Sequence, residues 1–178
     1  MTLKRILSLL TAFVLLLCSG VAIAEEEEPI IYDVTDYISS ISNLDLTPYK
    51  GKIIVLFFYT SAGEQSTATL PMWKLIHDDF DPDDVEIVLV HAWDGEGQEE
   101  SNQLKERFQL EGMNIYEDEN STLCKTLGLV EYPNTLILNA EGTPASGYSG
   151  QLSYTTTAEY LIGLGATQLQ NTYVFPDK

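Results

Sequence analysis

Sulfur and imidazole are scarce in this chain. Its 178 residues include two cysteines and two histidines, too few for a disulfide-braced scaffold and enough for at most one soft-metal site. Basic side chains are scarce too: nine Lys and Arg stand against 27 Asp and Glu, for a formal net charge of −18. A surface of that sign repels phosphate backbones and anionic lipid, so nucleic acid is excluded as a partner class. Internal repeats and a dividing linker are missing as well, so one domain is expected. What is plentiful is apolar: 44% of residues are hydrophobic, with 6 Phe and 10 Tyr. That supports a sizeable core and excludes global disorder.

The N-terminus reads as an export signal. Lys4 and Arg5 precede an uncharged run from Ile6 to Ala24, which closes on Ala22-Ile23-Ala24 before Glu25. A positive start, an apolar run and a small-x-small site form the pattern a signal peptidase cuts. Residues 1–24 are therefore expected to be removed at Ala24–Glu25. The product would be secreted or extracytoplasmic, on the periplasmic or cell-surface side. An uncleaved anchor is the competing reading, and membrane contact is expected only in that case; Ser8, Thr11, Ser19 and Gly20 weaken it. Lipid attachment at Cys18 is disfavoured by bulky Leu17 just before it. Cleavage takes away Cys18 and leaves Cys124 as the sole thiol. Residues 25–45 then read as an acidic N-terminal extension, 46–166 as the folded domain and 167–178 as a C-terminal tail.

Strand and helix patterns alternate along the domain. Ile53–Tyr59 (IIVLFFY) is a continuous apolar run, as for a strand buried on both faces, and Val85–Val90 and Thr135–Leu138 are two more. Trp73, Ile76 and Phe80 form one helical stripe, closed by the turn sequence Asp81-Pro82-Asp83-Asp84. Residues 98–110 read as a second helix, Met113–Tyr116 as a short strand and Ser121–Leu127 as a short helix ending at Gly128. Asn139-Ala140-Glu141-Gly142 reads as a hairpin turn into a strand near Ala145–Tyr148. Ala158, Leu161 and Ile162 share a face of a last helix, stopped by Gly163 and Gly165. This order gives a three-layer α/β domain.

Three stretches carry a family resemblance. Tyr49-Lys50-Gly51-Lys52 leads into IIVLFFYTS; Leu70-Pro71 lies in the following helix; and Val130-Glu131-Tyr132-Pro133-Asn134-Thr135-Leu136-Ile137-Leu138 precedes Glu141-Gly142. Together they resemble the thioredoxin-like superfamily, most closely its exported redoxin (TlpA-like) branch, over roughly Leu46 to Leu164. The resemblance implies a three-layer α/β/α sandwich with a central mixed sheet, Pro71 as the kinking proline, and a cis Tyr132–Pro133 bond facing the active site. It also places the redox Cys-x-x-Cys at Gly63-Glu64-Gln65-Ser66, where both cysteines are missing. The peroxidase-style Thr-x-x-Cys falls on Thr60-Ser61-Ala62-Gly63, again without a thiol. Neither Gly63 nor the Ser66 hydroxyl can exchange with a disulfide, which requires a thiolate. Ser61 and Glu64 instead fit a capping box at the start of the helix.

The remaining candidates are weighed against ordinary structural roles. Cys124, in Leu123-Cys124-x-x-Leu127, fits a small buried hydrophobe, and nearby Glu117, Asp118 and Glu119 disfavour its thiolate. His77 and His91 have no partner at metal-ligand spacing and read as surface or boundary residues. The acidic stretches Asp78–Glu86 and Asp94–Glu100 lack a calcium-loop pattern and read as solvated turns. Neither a metal nor a cofactor is expected. The resemblance puts Tyr59, Thr60, Ser61, Ala62, Gly63, Trp93, Tyr132 and Pro133 around a peptide-binding groove, whose aromatic residues suit noncovalent contact. The resulting expectation is an exported, non-catalytic polypeptide-binding or assembly module whose partner is an extracytoplasmic protein or peptide. The alternatives are a thiol-disulfide oxidoreductase or peroxidase working through Cys124 or a partner thiol, and an acidic calcium-responsive surface module.

Overall fold

The computed structural model of the chain describes residues 33–93 and 98–170. The export signal expected over 1–24 lies outside these residues, as do 94–97 and most of the expected C-terminal tail.

Five strands form one mixed sheet. The apolar run Ile53–Tyr59 is β1, and every one of its residues is buried. It is the central strand, parallel to β2 (Val85–Trp93) on one side and antiparallel to β4 (Asn134–Leu138) on the other. The edges are β3 (Asn114–Glu119), parallel to β2, and β5 (Pro144–Ser149), antiparallel to β4. The order is β3-β2-β1-β4-β5. Because side chains alternate across a strand, β1 divides its residues between two cores. Ile53, Val55, Phe57 and Tyr59 face the helices α2 (Glu64–Asp79), α3 (Gln98–Phe108) and α5 (Tyr154–Gly163), where Trp73, Leu104 and Leu161 are buried. Ile54, Leu56 and Phe58 face α1 (Val34–Ile41) and α4 (Thr122–Thr126), with Ile38 and Leu123. Helices on both faces of the sheet make the three layers expected from the sequence.

Two boundaries differ from the sequence reading. Residues 33–45 are not simply an acidic extension, because α1 lies there and Ile38 and Leu44 enter the core. Asp33 starts this helix: its carboxylate accepts the Thr35 amide at 2.9 Å and pairs with Lys50 at 2.9 Å. Gly142, in the β4–β5 turn, has φ 77°, and a Cβ there would lie 2.5 Å from Asp33 Oδ1. A side chain at that turn would therefore be strained and would collide with the cap. The second difference is β3, which continues through Glu119 where the apolar pattern stops at Tyr116. As an edge strand it tolerates charge, and Glu117 and Asp118 both find partners inside the fold.

Two buried carboxylates anchor local structure. Asp118, 1% exposed, accepts the Leu123 and Cys124 amides at 2.8 and 2.9 Å and so caps the short helix α4. The buried Asp79 side chain accepts the Tyr154 hydroxyl, whose oxygen in turn accepts Gln168 Nε2 at 2.9 Å. Leu169 donates its amide to the Asp79 carbonyl at 2.8 Å. The beginning of the expected tail is thus part of the folded body.

Candidate functional site

The carboxyl ends of β1, β2 and β3 carry the polar residues that converge. In an open α/β sheet this edge is where ligands approach, because loops and helix N-termini gather there. Strand register puts Tyr59 beside His91 and His91 beside Glu117. All three point to the α2/α3 face. The Tyr59 ring stacks on the His91 ring with centroids 5.0 Å apart. His91 Nδ1 lies 2.9 Å from Glu117 Oε2, and His91 Nε2 lies 3.3 Å from Ser61 Oγ. Glu117 Oε1 accepts the Ser101 hydroxyl and lies 3.4 Å from Lys105 Nζ.

His91 is therefore neither a surface nor a boundary residue: it is fully buried and hydrogen-bonded on both nitrogens. Burial works to raise the Glu117 carboxyl. Hydrogen bonds from His91 and Ser101, and the charges of His91 and Lys105, outweigh it and hold the group below its ordinary value. An ionised carboxylate can only accept, so His91 Nδ1 carries the proton in this pair. At Nε2 the ring meets the Ser61 oxygen, whose own proton is directed to Glu100.

The start of α2 also differs from the sequence reading. Its N-cap is Gly63, and no side chain caps it. Ser61, expected as the cap, instead donates its hydroxyl to Glu100 Oε2 at 2.9 Å and contacts His91. The capping box fails because the helix begins at Glu64 itself, too late for Ser61 to reach its first amides. Gly63 and Ser66 occupy the two ends of the turn expected to hold the redox pair. Ser66 is fully buried, and its hydroxyl has no hydrogen-bond partner. A Cβ placed on Gly63 would lie 2.9 Å from Ser66 Oγ.

Next to this turn runs a groove of about 380 Å³, lined among others by Thr60, Ala62, Trp93, Lys125, Val130 and Tyr132. The Tyr132–Pro133 peptide beside it is cis. Val130, 87% exposed, is the most exposed large hydrophobic among the described residues. Not every expected groove residue lies in this channel. Tyr59 is fully buried and belongs to the core, stacked between Phe57 and His91. Its side has the same parity as Val55 and Phe57, which turns it inward. Burial and the nearby Glu117 charge raise its hydroxyl's pKa far above the ordinary range. Pro133 is buried. Ser61 faces a neighbouring cavity of about 300 Å³, shared with Ala62, Glu100, Gln103, Leu104 and Arg107.

Cys124 is free, fully buried and remote from Gly63 in sequence and element. Burial first pushes its thiol up to about 12, and the Asp118 hydrogen bond and charge act the same way against a lowering hydrogen bond to Tyr132. Among the described residues, no three His, Cys, Asp or Glu side chains converge to hold a metal ion.

The thioredoxin-like family model matches residues 51–143, more than half of the chain. The chain belongs to the thioredoxin-like family. No curated protein sequence matches it. Among solved structures, StoA from Bacillus subtilis is 24% identical, with a TM-score of 0.57 over 64% of this chain and 84% of that one. The pneumococcal exposed lipoprotein thioredoxin Etrx1 from Streptococcus pneumoniae is 21% identical, with a TM-score of 0.57 over 66% and 89%. A putative thiol:disulfide interchange protein DsbE from Chlorobium tepidum is 14% identical, with a TM-score of 0.60 over 68% and 86%. At these identities the likeness is one of fold. Glu117, Ser101 and Glu100 are the site residues that the sequence reading passed over. Only Glu117 carried a signal, its register opposite His91 once β2 and β3 are paired.

Proposed function

We propose that this thioredoxin-fold chain is an exported module that binds an extended polypeptide noncovalently and performs no thiol–disulfide exchange. The observation that carries the reading is the pairing of a retained groove with a turn that has Gly63 and Ser66 where a redox pair would stand. A sulfur-free turn cannot form a mixed disulfide, so any affinity must come from contact. Exposed Val130 and half-buried Trp93 and Tyr132 supply apolar and aromatic surface for that contact. Burial of the one remaining thiol supports the same choice over an oxidoreductase working through Cys124. Export is supported by the signal pattern of residues 1–24 and by the likeness to a pneumococcal exposed lipoprotein thioredoxin.

The test is a titration of the full chain with a reduced, carboxymethylated and permanently unfolded polypeptide, followed by fluorescence anisotropy. Saturable binding is expected, unchanged in Cys124→Ala and weakened at least tenfold by Val130→Asp. Absence of saturation, or dependence on Cys124, would overturn the proposal.

A further inference from the structure

The row Ser61–His91–Glu117 has the connectivity of an activated nucleophile: a hydroxyl, a base within reach of it, and a carboxylate that orients the base. The parts come from three places in the chain. Ser61 follows β1, His91 lies on β2 and Glu117 on β3, with contacts of 3.3 and 2.9 Å. The carboxylate is itself fixed by Ser101 and Lys105, and the imidazole by its stack on Tyr59. Ser61 is only half-buried and opens on the cavity of about 300 Å³ that holds Gln103 and Arg107. Just beyond it, α2, a 16-residue helix, starts at Glu64 without a side-chain cap, so the positive end of its dipole lies at this end of the sheet.

We propose that Ser61, His91 and Glu117 form an acyl-transfer site that hydrolyses small carboxylic esters at the Ser61 hydroxyl, an activity separate from polypeptide binding in the adjoining groove. Ser61 Oγ bonds to the acyl carbon while its proton passes to His91 Nε2. The ester C–O bond breaks, and the leaving oxygen takes that proton. Water then attacks the acyl-Ser61, giving its proton to His91, and the carboxylic acid departs as the proton returns to Ser61. Glu117 keeps Nδ1 protonated and offsets the positive charge on the ring. The positive end of α2 favours the negative charge that develops on the acyl oxygen. Glu100 opposes the reaction in the resting state, because it holds the Ser61 proton at 2.9 Å in competition with His91.

The test exposes the full chain to a fluorophosphonate probe, maps the adduct by mass spectrometry, and follows p-nitrophenyl acetate hydrolysis. A Ser61 adduct is expected, absent in Ser61→Ala. The labelling rate should fall about 100-fold in His91→Asn, the size of a lost general base, and rise in Glu100→Ala. His91 is buried, so Ser61→Cys supplies a second readout that keeps the base in place. The charged and titratable groups around that position are His91, Tyr59, Glu117, Lys105, Glu100 and Arg107. If His91 acts as the base, the new thiol should alkylate with a midpoint below the roughly 8.5 of a free thiol. Failure to label Ser61, labelling indifferent to His91→Asn, or a free-thiol alkylation profile would each overturn the proposal.

Discussion

Replacing Gly63 and Ser66 together by cysteine, in a Cys124→Ala background, should restore a disulfide at the start of α2. The geometry is within a few tenths of an ångström of what the bond needs. A Cβ on Gly63 lies 3.3 Å from Ser66 Cβ, whereas disulfides hold their Cβ atoms about 3.5–4.5 Å apart. Gly63 has φ −83°, open to any L residue, so the new side chain brings no backbone strain. It does meet Thr60 Oγ1 at 3.0 Å, which must turn aside; a tight contact of this kind costs about 1 kcal/mol. Ser66 is buried and unpartnered, so exchanging its hydroxyl for a less polar thiol leaves no bond unmade. The crowding is common to the oxidised and reduced forms, so their difference isolates the cross-link. For a loop of about four residues the chain-entropy model gives about 2 kcal/mol. Guanidinium unfolding followed by tryptophan fluorescence, with and without reductant, reads this difference, and mass spectrometry reads the loss of two hydrogens. If both thiols stay free under oxidant, or the oxidised form gains no stability, the start of α2 does not hold a redoxin turn and the reasoning fails.

Three further outcomes are expected. Asp118→Ala leaves the buried amides of Leu123 and Cys124 without their acceptor, which should lower unfolding stability by about 2–4 kcal/mol; a loss below about 0.5 kcal/mol, the size of an ordinary surface substitution, would refute the capping role. The Asp33 carboxyl is held down to about 2 from its ordinary 3.8, first by the Thr35 hydroxyl and then by Lys50. Its contribution is therefore present above about pH 4 and lost as the pH falls towards 2, so Asp33→Asn should flatten the acid limb of a stability–pH curve, and an unchanged limb would contradict it. Cys124, with its thiol at about 12 and no exposed surface, should resist iodoacetamide at pH 8 in the folded chain and react once guanidinium unfolds it; rapid alkylation in the folded state would contradict the burial.

The sheet was legible where its strands are apolar on both faces. Ile53–Tyr59, Val85–Val90 and Thr135–Leu138 appear as strands because two helical layers cover them. Where a strand lies at an edge the pattern weakens, and the charged half of β3 reads as loop until its register with β2 is known. α1 was hidden for a related reason. It is a single short helix in an acidic stretch, and only Thr35 and Ile38 within it are buried. The site was half legible. The turn without cysteines and the place of the groove came from the family resemblance, but the His91–Glu117–Ser61 row depends on strands brought together from distant parts of the chain. Ser61 shows the limit most plainly. Its spacing to Glu64 satisfies a capping box, yet Glu100 and His91 hold its hydroxyl and the helix starts without it.

The proposed function requires the thioredoxin-like body to work without thiol exchange at the turn that holds Gly63 and Ser66. The direct measurement is reduction of insulin disulfides by the full chain with dithiothreitol as electron source, run beside Cys124→Ala. Precipitation of the insulin chains is expected at the rate of dithiothreitol alone for both proteins. Acceleration by the unmodified chain that disappears in Cys124→Ala would contradict it.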